Sequence, residues 1–558
     1  MKKILRYEFI IFIMIFSMNS CTFITNEPSN FILSENSIID ENTSETTLSS
    51  SNESKEDVMI DKIYPICFDN VMEVNNPMEF INQVNKEDGT HDNESKEFGT
   101  IKSNYFNLEV NNSNVPCYMV RSSLGGHSFA QLDIIENAFP LTCIVTLDKE
   151  ATNTKILPLS SNVNCYFYGK NKLKLLFNIE KTGNYTLVID NNKEKALTIF
   201  IREKSKFSLP SFYTLQVIQP GNHEEIISFT REYEAIYFKK GVHNLKYSIN
   251  FKSNTILYLE EGAYIYATMP DDKEKPIIES DWCNMPRYNA LFHGENVNNV
   301  QIMGKGMIDL SRLNFHARLG ICFDMSTNIA IKDITLNNSP EWTVLFTRSS
   351  SILVDRVLLF GYRQNSDGIC LTDSKDCIVS NCFARSGDDL FEVKSMYGNY
   401  DKLIENIQFI NNNAWPDKAR GFGIIAESVR DISDVTFKNC AIGFASATWM
   451  DDLGSVVVYP ANDGLVSNIL FEDMEIYNSS LYPIAIAPIN ESKAVIKNIL
   501  FKNIKIYDDK PIKVTLNTNG KIEKLVFDHC YRNNALLTTY KEYKFKTQNY
   551  DERNIEIK

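Results

Sequence analysis

Residues 365–394 hold the stretch around which the fold is organised, in three motifs: Asn-Ser-Asp-Gly-Ile-Cys (365–370), Cys-Ile-Val-Ser-Asn-Cys (377–382) and Gly-Asp-Asp-Leu-Phe-Glu-Val-Lys (387–394). The middle motif reads as a short apolar strand, and the outer motifs supply the carboxyl groups of Asp367, Asp388 and Asp389. If the chain coils with a period close to the separation of the outer motifs, Asp367 comes to lie beside the Asp388–Asp389 pair. Carboxyl groups held close together raise one another's pKa, which suits general acid and base chemistry.

The apolar strand at the centre of this stretch is one copy of a repeat within residues 206–558. Each copy begins with an apolar run, and these runs start at 300, 329, 352, 377, 407, 435, 469, 499 and 525, with spacings of 23 to 34 positions. Many copies carry a second apolar run a few residues later, as in Ile334-Thr-Leu336 and Ile504-Lys-Ile506. Self-similarity with a drifting period of this length is typical of a solenoid.

The repeat unit favours strands over helices. Turns rich in Asn, Gly, Asp and Ser separate the apolar runs, no 3.6-residue pattern is present, and the Leu-x-x-Leu-x-Leu frame of leucine-rich repeats is missing. We therefore predict an all-β chain in which residues 206–558 form a right-handed parallel β-helix. Its coils are expected to stack at strand spacing, roughly 4.8 Å.

Residues 101–205 show a different pattern. Seven short strand patterns separated by turn residues are found at 105–110, 117–120, 129–134, 141–147, 173–179, 185–189 and 197–201. About seven strands in roughly 100 residues predict a small antiparallel β-sandwich. We expect it to be a support domain, with carbohydrate binding as the alternative.

The N-terminal region predicts export. Residues 1–21 combine a basic end with an apolar core too short for a confident membrane span, and Ser17-Met-Asn-Ser-Cys21 resembles a bacterial lipobox. We expect cleavage before Cys21, lipidation of its thiol, and attachment to the bacterial cell envelope through acyl chains only. The alternative is an ordinary cleaved signal and secretion. Residues 22–58 read as a disordered polar tether, and residues 59–100 are left unassigned.

The composition of the chain limits the kinds of partner and cofactor that we expect it to bind. The net charge of −14 argues against a nucleic-acid partner, which needs a basic surface. The seven His form no close cluster with metal-ligand spacing, so neither a metal nor another cofactor is expected. Five of the 12 Cys sit inside apolar strand-like runs, which predicts free core thiols: Cys322, Cys370, Cys377, Cys382 and Cys440. A monomer is expected.

The motifs also carry a family resemblance. Ser339-Pro-Glu-Trp-Thr-Val344, Tyr362-Arg-Gln-Asn-Ser-Asp-Gly-Ile369, Gly387-Asp-Asp-Leu-Phe-Glu-Val-Lys394 and Arg420-Gly-Phe-Gly-Ile424 resemble the β-helix glycoside hydrolases that include polygalacturonases (family 28) and dextranase/isopullulanase (family 49). A sandwich followed by a pectin-lyase-like β-helix is similar to family 49 more than to most of family 28.

The resemblance implies hydrolysis of a polysaccharide or oligosaccharide with inversion at the anomeric carbon. By position, Asp388 would be the general acid, and Asp367 and Asp389 would hold and deprotonate the water. Further residues are expected to bind substrate: Lys394, Arg420, Asn365, Tyr362 and Trp342. Tyr397, Trp415 and Trp449 are weaker candidates for sugar stacking, with core packing as the alternative.

Two departures from the polygalacturonase pattern bear on the substrate. Polygalacturonases carry His-Gly where this chain has Arg420-Gly421, and a later Arg-x-Lys pair that grips the uronate. After Cys440 the chain reads Gly443-Phe-Ala-Ser-Ala-Thr-Trp-Met-Asp-Asp452 without such a pair. Asp451 and Asp452 suit a turn or hydroxyl binding, and a neutral glycan competes with galacturonan.

Two other functions stay open. A β-helix polysaccharide lyase would use Ca²⁺ bound by carboxylates and an Arg or Lys base. A non-catalytic glycan-binding solenoid would not need Asp388.

Overall fold

A computed structural model describes residues 62–69, 71, 99–135, 138–279, 286–448, 453–489, 492–516 and 519–558. The predicted export signal with Cys21 and the polar tether lie outside the described residues, as do Trp449, Asp451 and Asp452. Across the described ranges, no helix is long and apolar enough to cross a membrane.

Three parallel sheets run side by side along the C-terminal part of the chain, because successive short strands enter them in turn. Helix sheet 1 contains the first apolar run of each repeat and helix sheet 2 the second. Helix sheet 1 consists of Thr214–Ile218, Glu234–Phe238, Thr255–Leu259, Asn298–Gly304, Thr327–Lys332, Ser350–Asp355, Lys375–Ser380, Ile407–Ile410, Ile432–Lys438, Leu465–Glu472, Val495–Lys502, Lys521–Asp528 and Ile555–Ile557.

Helix sheet 2 consists of Gly221–His223, Gly241–Leu245, Ala263–Ala267, Met307–Asp309, Thr335–Asn337, Leu358–Phe360, Phe383–Ser386, Asn413–Pro416, Ala441–Ile442, Glu475–Ile476, Lys505–Ile506, Tyr531–Arg532 and Ala535–Leu536. Helix sheet 3 consists of Ile249–Asn250, Phe292–Glu295, Ile321–Asp324, Val344–Thr347, Ile369–Thr372, Phe391–Ser395, Phe422–Ser428, Gly454–Pro460, Tyr482–Ile486, Ile512–Thr515 and Phe545–Gln548. An α-helix, Tyr540–Tyr543, and a 3-10 helix, Glu552–Asn554, lie near the C-terminal end.

Side chains stack in columns inside the coil. Phe409, Phe437, Phe471, Phe501 and Phe527 occupy one register position of helix sheet 1, and neighbouring rings lie 4.8 to 4.9 Å apart with nearly parallel planes. This spacing equals the distance between hydrogen-bonded strands. The repeat therefore places its apolar residues on one continuous core.

Asparagines at the turns explain how the chain bends from sheet to sheet. Asn299, Asn328 and Asn498 adopt positive φ, which Asn tolerates better than most residues. Their amides also hydrogen-bond to the equivalent side chain of the preceding coil, as from Asn498 to Asn468 at 3.1 Å. The turns thus form polar ladders alongside the apolar columns.

The N-terminal part forms two sandwich sheets that enclose an apolar cluster of their own. Sandwich sheet 1 runs in the order Thr100–Lys102, Tyr118–Ser122, Gly125–Ile134, Asn192–Glu203, Gly183–Ile189 and Thr154–Leu157, with Ile63–Pro65 added to Gly125–Ile134. Sandwich sheet 2 runs in the order Ser113–Val115, Phe106–Val110, Leu141–Leu147, Lys174–Ile179 and Tyr166–Phe167. The 3-10 helix Leu159–Ser161 and the strand pair Ile278–Glu279 with Pro286–Arg287 complete the described elements.

Sandwich sheet 1 packs against helix sheet 2. One buried cluster joins Tyr118, Phe129 and Phe200 of the sandwich to Phe360 and Phe383 of the β-helix. The outer face of helix sheet 2 is therefore covered in coils both before and after the Asp motifs.

The predicted fold class is confirmed: the chain is nearly all-β, with long parallel sheets preceded by antiparallel ones. One detail differs from a purely antiparallel sandwich, because Asn192–Glu203 pairs in parallel with Gly125–Ile134. All ten described cysteines are free thiols, as the apolar context of those in the repeats predicts.

Candidate active site

The turns between helix sheet 2 and helix sheet 3 bring the Asp motifs together. Asp367 precedes the strand Ile369–Thr372, and Asp388 and Asp389 precede the strand Phe391–Ser395 of the next coil. These strands are paired in register, and the backbone N–H of Gly368 donates to the carbonyl of Asp389 at 2.7 Å. Stacked turns of equal geometry therefore place the three carboxyl groups in one cluster, with oxygens within 4.8 Å of one another.

Asp388 is the only member of this trio that is partly exposed. Its Oδ2 accepts a hydrogen bond from the backbone N–H of Asn365 at 2.9 Å, and its Oδ1 accepts one from the N–H of Asp389 at 3.0 Å. Asn365 has a positive φ of 58°, which turns its N–H towards the next coil. Burial, followed by the charge of Asp389, raises the pKa of Asp388 to about 6. Asp388 thus combines access to solvent with affinity for a proton.

Asp389 is held from the following coil. Its Oδ1 accepts from the backbone N–H of Arg420 at 2.9 Å and its Oδ2 from Nη1 of the same residue at 2.8 Å. Asp389 is 4% exposed, and the guanidinium of Arg420 lies 5.1 Å from the ring centroid of Tyr459. Arg420 is thereby committed to a protein carboxylate, in a geometry that fixes the orientation of Asp389.

Asp367 lies deeper than Asp388 and is 3% exposed. Burial, followed by the charges of Asp388 and Glu392, raises its pKa well above the usual value for Asp. Its Oδ2 accepts from Nζ of Lys394 at 3.4 Å. The titration of Asp367 and Asp388 is shared, because each group sits in the field of the other.

Lys394 is the centre of a second buried cluster that the sequence did not reveal. Its ammonium lies 3.1 Å from Glu392, 3.4 Å from Asp367 and 3.7 Å from Glu427, and 4.5 Å from the ring centroid of Trp342. Burial alone would lower its pKa, but the three carboxylates raise it well above the usual value for Lys. The missed signal was alternation in Phe391-Glu-Val-Lys394, which points Glu392 and Lys394 to the same outward face.

The predicted aromatic contacts are only partly available. The Tyr362 ring is 3% exposed and packs beside the guanidinium groups of Arg121 and Arg363, so it does not line an open cleft. Trp415 is buried with its ring 5.2 Å from that of His127, which makes it a core residue. Trp342 is half-buried beside Lys394, and Tyr397 is half-buried beneath Arg348. Tyr362 is therefore enclosed by protein groups, whereas Trp342 lies beside the three-carboxyl cluster; substrate binding by either residue stays a prediction.

Two groups in the described residues have a spacing that would suit a cation: the three Asp residues, and Asp367 with Cys370 and Glu392. Lys394 already supplies a positive charge to Asp367 and Glu392, and burial raises the thiol pKa of Cys370 well above the usual value. The carboxyl groups of both clusters are therefore neutralised by cations of the protein and by protons.

Comparisons with known proteins agree with this geometry. Residues 278–533 match the family model of glycosyl hydrolases family 28. A probable polygalacturonase from Vitis vinifera is 28% identical over 178 residues, which cover 27% of this chain and 35% of that protein. Polygalacturonase QRT2 from Arabidopsis thaliana is 22% identical over 216 residues, which cover 35% of this chain and 47% of that protein. The chain thus spans less than half the length of these relatives.

The fold also matches a solved structure. Dex49A from Penicillium minioluteum superposes with a TM-score of 0.56 at 12% sequence identity, covering 83% of this chain and 96% of that one. This likeness extends the shared architecture beyond the segment matched by the family model. Over residues 278–533 the chain is therefore similar to glycosyl hydrolases family 28, and its architecture is similar to that of Dex49A.

Proposed function

We propose that this chain is an exported glycoside hydrolase that cleaves a polysaccharide by acid and base catalysis with inversion. The observation that carries the proposal is the pairing of a partly exposed, proton-binding Asp388 with two buried carboxyl groups on stacked turns of a family 28 β-helix.

The chemistry follows from the positions of the three groups. Asp388 donates its proton to the glycosidic oxygen as the bond from that oxygen to the anomeric carbon breaks. Asp367 and Asp389 hold a water molecule, whose oxygen bonds to the opposite face of the anomeric carbon while its proton passes to one of these carboxylates. The products are a sugar with an inverted reducing end and the protonated leaving group.

The stereochemistry needs a direct test. Carboxyl groups of inverting glycosidases usually lie about 6.5–9.5 Å apart, and those of retaining enzymes about 5–5.5 Å. The cluster here is tighter than the inverting range. Inversion is proposed on the family resemblance of the Asp motifs, and the carboxyl groups of Asp367 and Asp389 lie beside Asp388, where they can hold a water molecule. Proton NMR of the first anomer released distinguishes the two outcomes, and a retained configuration would overturn this part.

The charges around the site favour a neutral glycan. Four cations of this face are paired with protein carboxylates: Arg348 with Asp324, Lys394 with Asp367, Glu392 and Glu427, Arg420 with Asp389, and Arg430 with Asp373. In helix sheet 3, the register position of Glu392 continues as Gly423, Val457 and Ala485 in the next three coils, and as Lys513 and Lys546 beyond them. The excess of carboxyl groups beside the three Asp residues opposes the binding of a uronate there.

A matched pair of polymers tests the substrate charge. Polygalacturonan and its carboxyl-reduced form share backbone and linkage but differ in charge, and dextran and pullulan add neutral α-glucans. We expect release of reducing sugar from at least one neutral polymer, loss of that release in Asp388→Asn, and little dependence of KM on salt. A preference for polygalacturonan that weakens with salt would overturn the neutral substrate, while no turnover of any glycan by the wild type would overturn the hydrolase itself.

The lyase alternative is separated by the same reactions. A lyase needs an Arg or Lys as base, whereas Lys394 and Arg420 are both engaged by carboxylates. Unsaturated products that absorb in the ultraviolet, and their loss on chelation, would establish a lyase instead.

Export and anchoring rest on the sequence of residues 1–21. We propose that Cys21 is lipidated and that the chain faces the outside of the cytoplasm, bound to the envelope by its acyl chains. Metabolic labelling with a fatty acid is expected to mark the wild type and not Cys21→Ala, which should be released in soluble form. An unlabelled wild type in the medium would favour the ordinary cleaved signal.

A further inference from the structure

Glu392 is an unusual group within the site. It is 0% exposed, and among the described residues its polar partners are the ammonium of Lys394 at 3.1 Å and the thiol of Cys370. A buried carboxylate with so few partners carries a large desolvation cost, so a purely structural role explains its presence poorly. The carboxyl oxygens of Glu392 and Asp367 also lie within 4.8 Å of each other.

Lys394 divides its charge between these groups. Its distances to Glu392, Asp367 and Glu427 differ by only 0.6 Å, so the ammonium is not paired with any single carboxylate. An Asp paired with a Lys of its own is a weak base, because an adjacent cation stabilises the carboxylate form. A carboxylate that competes for the same Lys preserves the basicity of Asp367.

We propose that Glu392 is a positioning residue of the acid and base site, which draws the ammonium of Lys394 away from Asp367 and so keeps Asp367 able to accept the proton of the attacking water. The inference rests on the proposed hydrolase function. Glu392 acts through Lys394 and does not touch the substrate. Burial is the main reason that the pKa of Glu392 is raised, and the ammonium of Lys394 opposes that rise by stabilising the carboxylate.

Charged and titratable groups of several elements face Glu392 and influence its protonation. Lys394 lies on the same strand, Asp367 and Cys370 belong to the preceding coil, and Asp389 belongs to the adjoining turn. Glu427 of the following coil lies on the other side of Lys394. Glu427 is the natural graded comparison, because its side chain is 31% exposed and lies farther from Lys394.

The test is the pH profile of kcat/KM for Glu392→Gln, which keeps the shape and removes the charge. We expect Lys394 to pair more closely with Asp367, so that kcat falls about tenfold, KM changes little, and the acidic limb moves to lower pH by about one unit. Glu427→Gln should shift the limb in the same direction by less. Glu475→Gln, which removes a buried carboxylate at the sandwich interface, should leave the limb unchanged.

A second readout does not depend on turnover. Infrared titration is expected to show a buried carboxyl that ionises at lower pH in Glu392→Gln than in the wild type, because Lys394 then pairs more closely with Asp367. An unmoved acidic limb in an active Glu392→Gln enzyme would overturn the inference, as would an unchanged infrared titration. A wild type without glycosidase activity whose infrared titration still differs from that of Glu392→Gln would instead count against the hydrolase.

Discussion

Arg420 and Asp389 are joined across neighbouring coils by two hydrogen bonds, one from the backbone N–H at 2.9 Å and one from the guanidinium at 2.8 Å. Substitution of the Arg420 side chain leaves the backbone hydrogen bond in place, so the contribution of the guanidinium can be measured separately. Both groups are buried, and an unpaired Asp389 would be left in a site of low polarity.

Substitution of Arg420 is therefore expected to damage both stability and catalysis. Arg420→Gln should lower the free energy of unfolding by about 3–5 kcal/mol, the usual cost of breaking a buried pair. It should also lower kcat about 100-fold, because Asp389 loses its charge-assisted hydrogen bond and its orientation. Arg420→Lys should recover part of each, since it restores charge without the planar donor geometry.

Arg430 provides the matched control for Arg420. It pairs with the fully buried Asp373 at 3.2 Å, on a turn outside the three-carboxyl cluster. Arg430→Gln is expected to cost a comparable amount of stability with kcat reduced only a few-fold. Equal losses of kcat in the two variants would show that Arg420 matters for folding alone.

The pH profile of activity should report the shared protons of Asp367 and Asp388. Because Asp388 must carry a proton to act as acid, kcat/KM is expected to fall as the pH rises through its pKa of about 6. Activity should also fall on the acidic side, where the carboxylates that activate water become protonated. The limbs belong to the coupled pair and not to single residues. If kcat/KM stayed constant from pH 5 to pH 9, a range that ends roughly three units above the raised pKa, the role of Asp388 as the acid would be contradicted.

Sequence information predicted the parts of the fold that repeat. An apolar run at a regular position of each copy is sufficient to place a strand in helix sheet 1, because only one register buries that run in every coil. The same register brought Asp367 to Asp388 and Asp389. The repeat period alone was therefore enough to predict that the turn residues of neighbouring coils lie side by side.

The parts that depend on packing outside the coil were not predicted. The sequence predicts Lys394 as a substrate contact and gives no role to Glu392, yet both are buried, and Glu427 joins them from another coil. Tyr362 read as a sugar contact because nothing in the local sequence shows that the sandwich covers it. Alternation along the strand Phe391–Ser395 gives the side of the sheet on which Glu392 and Lys394 lie, but not what lies against it.

The raised carboxyl pKa values also predict a gain of stability in an inactive variant. The folded state holds a proton on Asp388 up to about pH 6, whereas the unfolded chain releases it near pH 4. The folded state therefore loses stability as the pH rises between these values, and the loss is complete above the folded pKa. Asp388→Asn removes this cost, so its free energy of unfolding should exceed that of the wild type by about 1–3 kcal/mol at pH 8 and match it near pH 4.

Urea denaturation at the two pH values measures the difference between Asp388→Asn and the wild type. Glu523→Gln is a suitable control, because Lys521 lowers the pKa of this exposed carboxylate and the variant should show no gain at pH 8. An Asp388→Asn protein that is no more stable than the wild type at pH 8 would mean that Asp388 is not desolvated in the folded state.

Contact between the sandwich and the site leads to a last prediction. Ser123, in the turn that joins Tyr118–Ser122 to Gly125–Ile134, donates from Oγ to the carbonyl of Tyr362 at 2.7 Å. A Cβ on Gly387 would lie 2.6 Å from the same Oγ and 2.4 Å from the carbonyl oxygen of Arg363. The sandwich turn thus abuts both of the successive β-helix turns that lead to Asp367 and Asp388.

Ser123→Ala removes one buried hydrogen bond and is expected to lower the free energy of unfolding by about 1 kcal/mol and kcat a few-fold, with KM unchanged. Gly387→Ala should lower kcat more than about tenfold, because the turn that precedes Asp388 must shift to relieve the clash with backbone. Ser103→Ala, which removes a hydroxyl contact to Ser128 within the sandwich, should lose similar stability without loss of kcat. If Ser103→Ala and Ser123→Ala have the same kcat, the sandwich supports the fold without positioning the carboxyl groups.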